Sequence, residues 1–166
     1  MKIALTGHRP QRLFGHNLAN EQWQRISDWI KKVLMENECT VAFSGMASGS
    51  DMLYALAVKE IKENGIDIDL KLVFPCDGYG SRSKDKRYLA WRQQIIDASD
   101  ERIFIHDQWC NTADDDRDKY MVDNCDKLIA IFDGIEAGGV FKTINYAKSL
   151  GKEIIYCPSE LVRKQG

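Results

Sequence analysis

With 166 residues, 44% hydrophobic and 29% charged, the chain reads as one globular domain. That length buries an adequate core without disulfides or a metal as staples. Twenty-three Lys plus Arg against 25 Asp plus Glu leave a formal net charge of −2. This balance argues against a nucleic-acid partner held by a broad positive field, while a small basic pocket for one anion stays open. No run of about 18 apolar residues marks a membrane span. The apolar stretch near Met1 is too short for a signal peptide, so a cytoplasmic address is expected. The five cysteines (39, 76, 110, 125 and 157) make no CxxC and no compact Cys/His cluster. Reduced thiols are expected, several of them packed in strands, with no metal ion and no cofactor.

The elements follow in order. Lys2–Thr6 predicts a strand closed by Gly7 and Pro10. Asn20 is a candidate N-cap for a helix to about Glu36, with Trp23, Ile26, Ile30, Val33 and Leu34 on one face. Thr40–Ser44 is a second strand. A helix follows from near Ser50 to about Asn64, with Gly65 as its cap. Residues 68–74 alternate as a third strand, ended by Pro75. Asp85 to about Ala98 is helical, Arg102–Ile105 a strand and Asp116 to Asn124 a short helix. Lys127–Phe132 is a continuous apolar run of the kind found inside a parallel sheet. Val140–Leu150, capped by Gly151, is the last helix and Glu153–Cys157 the last strand. Uninterrupted strand–helix alternation predicts an α/β fold, a single Rossmann-like three-layer sandwich with a mostly parallel sheet and helices on both faces. The domain spans residues 1–158, and 159–166 form a C-terminal tail that frays.

In such a sheet ligands bind outside the carboxyl ends of the strands, so the chemistry is sought in the loops after them. After the first strand, Gly7 permits close backbone approach, and Arg9 can fork onto a phosphate; a solvated turn with a surface histidine, His8, is the plainer reading. After the second strand, Ser44-Gly45-Met46-Ala47-Ser48-Gly49-Ser50-Asp51 makes a glycine turn into a helix start, an arrangement that offers amides to an anion. It is neither GxGxxG nor a Walker A loop. Asp51 either holds ribose hydroxyls or, with Ser48, forms a variant capping box. Cys76 after the third strand reads as a passive thiol, Tyr79 as a stacking platform, and Arg82, Arg87 and Arg92 mostly as a solvated face. Asp114–Asp116 suit a helix N-terminus better than an EF-hand. After the fifth strand, Asp133 precedes the Gly138-Gly139 pair, which opens a second anion-binding turn at the helix carrying Thr143.

Four stretches together resemble the SLOG superfamily of Smf/DprA- and LOG-related proteins, in its YpsA-like branch. They are Thr6–Pro10, Ser44–Asp51, Arg117–Asp123, and Asp133 with Gly138-Gly139. The resemblance implies a site for a nucleotide or nucleotide-derived ligand such as ADP-ribose. Its residues are Gly7, His8, Arg9, Ser44, Gly45, Gly49, Asp51, Arg117, Asp133, Gly138, Gly139 and Thr143. The LOG relatives cleave the N-glycosidic bond of a nucleoside monophosphate through a PGGxGTxxE motif. Here the third glycine is Phe141 and the glutamate is Asn145, and an amide cannot serve as general base. The expected function is therefore a sensor or sequestering module. An N-glycosidase using Asp51 or Glu136, and DprA-like handling of single strands, are the alternatives. Four tryptophans and an apolar first helix leave room for a homodimer.

Overall fold

The computed structural model describes residues 1–163. Its centre is a six-stranded, all-parallel sheet of order β4-β3-β2-β1-β5-β6. The strands are β1 (Lys2–Gly7), β2 (Val41–Ser44), β3 (Asp69–Cys76), β4 (Glu101–His106), β5 (Lys127–Ile131) and β6 (Glu153–Tyr156). Between them run α1 (Glu21–Glu36), α2 (Ser50–Glu63), α3 (Lys86–Ala98), α4 (Ala113–Asn124) and α5 (Gly139–Ser149), with a last turn α6 (Ser159–Val162). The inner strands β1, β2 and β5 are buried on both sides, which is why they read as near-continuous apolar runs. Alternate residues serve opposite layers. Ile3, Leu5, Leu70, Leu72, Ile129 and Ile131 pack with α1 and α2, whereas Ala4, Phe43, Val73 and Leu128 pack with α4 and α5.

Local chemistry sets the helix boundaries. Asn20 caps α1 by accepting the Trp23 N–H at 3.0 Å, and Trp23, fully buried, donates its indole N–H to Gly15 O at 2.9 Å. Asp85 caps α3 in the same way. Tyr54 of α2 crosses to β1 and donates to Ile3 O at 2.8 Å, so its buried hydroxyl is satisfied.

Four expectations change. β3 continues through Pro75 to Cys76, because Cys76 still pairs with His106 of the edge strand β4 and the Asp77 N–H donates to His106 O. α4 begins at Ala113 rather than Asp116, which puts all three aspartates in its first turn, where the helix dipole favours them. All five cysteines are free, but only Cys76 lies within a strand. Residues 159–162 form α6 instead of fraying, because Val162 is buried against the α1–α2 core; residues 164–166 of the expected tail lie outside the described residues. Among the described residues no helix is long and apolar enough to cross a membrane.

Candidate functional site

The chain leaves β1 towards β2, β3 and β4 on one side and returns to place β5 on the other. The strand order therefore reverses between β1 and β5, and their outgoing loops separate to leave a crevice. A cleft of about 490 Å³ opens there, within the range of small-molecule sites. It is walled by the loop after β1 (Gly7, His8, Arg9, Arg12), by Ala47 and Asp51, by the first turns of α4, and by Gly139 of α5.

One wall is a buried charge cluster centred on Arg117. Its Nη1 donates to Gly45 O at 2.6 Å, its Nε to Asp118 Oδ1 at 2.7 Å and its Nη2 to Asp114 Oδ1 at 3.3 Å. Burial works against the Arg117 charge, but Asp118 and Asp51 outweigh it and raise its pKa. Asp51 sits behind, accepting the Ala47 N–H through Oδ2 at 3.3 Å. Burial pushes the Asp51 carboxyl up to about 6, with Arg117 pulling the other way. Burial raises Asp118 too, against the pull of Arg117. Gly45 is where this cluster touches the β2 turn: a Cβ there would lie 2.8 Å from Asp51 Oδ2 and 2.9 Å from Arg117 Cδ.

The opposite wall ties β1 to β5. His8, 3% exposed, is no surface histidine. Burial pushes its pKa down, and the neutral ring accepts the Asp133 N–H through Nε2 at 3.2 Å. Asp133 Oδ1 lies 3.1 Å from the same nitrogen, a contact that becomes an ion pair only on protonation. The Asp133 carboxylate itself takes a fork from Arg12, Nε at 3.0 Å and Nη2 at 3.1 Å. Burial opposes its charge, with the Ile135 N–H and Arg12 among the groups that outweigh it and lower its pKa.

The two glycine-rich helix starts differ. At α2 part of the start is already used: the Ser50 N–H and hydroxyl both donate to His8 O, at 3.3 and 2.8 Å, and in the turn before it Met46 N donates to Ser44 Oγ. The capping box foreseen between Ser48 and Asp51 does not form, because Gly49 is the N-cap and Asp51 reaches Ala47 instead. Gly7 is small for the sake of this packing, since a Cβ would fall 2.4 Å from Ser50 Cβ. At α5 the N-cap is Gly138, with no side-chain cap and no acidic residue in the first turn. That start keeps its dipole unopposed.

Of the residues expected at the site, Gly7, His8, Arg9, Asp51, Arg117 and Gly139 line the cleft. Ser44, Gly45 and Gly49 support it from behind. Gly138 sits at the rim, where its Cβ would lie 3.2 Å from Arg12 Nη1. Asp133 faces the neighbouring cavity beside Phe132 and Tyr156, its carboxylate bound to Arg12 rather than open to a ribose. Thr143 donates to Asp118 Oδ2 and Gly139 O and turns away from the cleft. Glu136 is exposed and does not line the cleft. Sequence reasoning missed Arg12, Asp114, Asp115 and Asp118. For Asp114 and Asp118 the signal was present: Asp114 stands three residues before Arg117 and four before Asp118, on one side of α4. For Arg12 nothing local distinguishes it from a surface arginine.

The YpsA family model, that of the YspA SLOG family, matches residues 3–156. The chain belongs to this family. The match runs from β1 through β6, so every loop that walls the cleft lies within SLOG sequence. Membership points to a nucleotide-related function. The comparison with curated proteins gives no match.

Proposed function

We propose that the chain is a cytoplasmic binding module for a nucleotide-derived ligand of the ADP-ribose type, seated in the cleft between β1 and β5. One observation carries this reading: the cleft is lined by side chains of both charge signs. Arg9 is the least committed of its arginines, with its side chain 52% exposed and its nearest carboxylate, on Asp114, 3.8 Å away. With the uncapped start of α5 it offers a phosphate both charge and amides. The same cleft is lined by Asp51, Asp114, Asp115 and Asp118, each held by a protein donor or cation but with carboxylate lone pairs left to accept from ribose hydroxyls. A phosphate alone would use only the cationic groups, and an uncharged nucleoside only the carboxylates.

The test is calorimetric titration of the chain with ADP-ribose, AMP and inorganic phosphate. ADP-ribose is expected to bind most tightly and Arg9→Ala to weaken it at least about tenfold, the worth of one lost charge-assisted contact. Equal affinity for all three, or none at millimolar concentration, removes the reading. A second reading, glycosidic cleavage, draws on Asp51, whose carboxyl at about 6 is poised between acid and carboxylate near neutral pH. It requires release of free base from a nucleoside monophosphate, lost in Asp51→Asn.

A further inference from the structure

Away from the cleft wall, three side chains of different chemistry meet where β4 ends and α4 begins. His106 closes β4, Cys110 lies on the connecting loop, and Asp116 is in the first turns of α4. One donor atom from each lies within 4.8 Å of the others, and all three residues are half-exposed. His106 Nε2 is 2.7 Å from Asp116 Oδ2. Thr112 Oγ1 donates to that same carboxylate oxygen at 2.9 Å and lies 3.6 Å from Cys110 Sγ. A histidine–aspartate hydrogen bond accounts for the first contact but gives no reason for a thiol beside it. The other four cysteines are buried; the one that reaches solvent is the one beside an imidazole and a carboxylate.

We infer that His106, Cys110 and Asp116 form a binding site for a borderline-soft divalent metal ion, zinc foremost. The donor set decides the class. Sulfur, nitrogen and oxygen together suit zinc or cobalt, whereas magnesium and calcium require a shell of oxygens that one carboxylate does not supply. Three protein ligands leave a fourth tetrahedral position for water, as in zinc sites that exchange or react rather than purely structural ones. Zinc bonds of about 2.0–2.3 Å put tetrahedral donor atoms roughly 3.3–3.7 Å apart. The His106–Asp116 contact then widens by about half an ångström, and the widest gap closes by about 1 Å. The loop carrying Cys110 is exposed on both sides of it and takes up that movement. Thr112 stays hydrogen-bonded to Asp116 and orients it, the role of an outer partner at such sites.

The experiment titrates the metal-stripped full chain with Zn²⁺, and separately with Co²⁺ as a spectroscopic reporter. One ion per chain is expected, with a thiolate-to-cobalt charge-transfer band in the near ultraviolet. Cys110→Ser abolishes the band, and His106→Gln and Asp116→Asn each weaken zinc at least about tenfold. Cys76→Ser, at the buried thiol of the adjacent strand, changes neither. Because the three ligands are half-exposed, thermal unfolding of the metal-free variants stays close to that of the unaltered chain and separates lost ligation from lost folding. The inference is overturned by absence of zinc binding at micromolar concentration, by binding that survives Cys110→Ser and His106→Gln, or by Mg²⁺ competing on equal terms.

Discussion

At the scale of single residues the cleft depends on placing a carboxyl where its charge is disfavoured. Asp51 is held up to about 6, mainly by burial, so the folded protein binds its proton more tightly than the unfolded chain. Stability from this group is then greatest in acid and falls as pH rises from about 4 to about 6, the reverse of the usual carboxylate. Two units correspond to about 3 kcal/mol. Relative to Asp51→Asn, the unaltered chain should lose about 2 kcal/mol of that between pH 4 and pH 6 in urea titrations, whereas a pH-independent difference would show that Arg117 neutralises the burial cost entirely. Much of this was legible beforehand. Asp51 and Arg117 stood out by position, one at a helix start after a strand and the other in a family stretch. Their electrostatic coupling did not, because they lie 66 positions apart in the chain.

The helix starts make the same point for whole elements. Ser44–Asp51 and Gly138-Gly139 look alike in the sequence, both glycine turns opening a helix after a strand. Packing separates them: α2 presses on the loop after β1, whose His8 carbonyl takes the Ser50 N–H and hydroxyl, while α5 starts at an exposed rim. Gly49 has φ +89°, and a Cβ there would meet His8 O and Pro10 Cδ at 2.9 Å. Gly138 has φ +89° and ψ −174°, a region reserved almost entirely for glycine, but its one close neighbour is the flexible end of Arg12. Gly138→Ala should cost about 1–3 kcal/mol, and Gly49→Ala more, since strain and backbone crowding add. Chemical denaturation measures both. Ligand titration should find the folded Gly138→Ala protein weakened further than its stability loss explains. Equal costs at the two sites would contradict the contrast drawn here.

For the molecule as a whole, the sheet order predicts where stability resides. β1 and β5 lie between both helical layers with nearly every residue buried, whereas β4 and β6 are edges with exposed or half-exposed residues throughout. Native-state hydrogen exchange should find the slowest amides in β1, β5 and β2, and exchange at β4 and β6 through smaller openings; uniform protection across the sheet would refute this. The amino-acid sequence by itself determined the elements, their alternation and hence the parallel three-layer fold, because hydrophobic periodicity and capping act over a few residues. It also singled out the loops after the strands as the place for a site. Only the tertiary structure decided which loops share a cleft. It turned His8 inward and Thr143 aside, tied Asp133 to Arg12, and gathered His106, Cys110 and Asp116. Those outcomes depend on strand order and on the distances it imposes between residues far apart in the chain, and no short-range pattern encodes them.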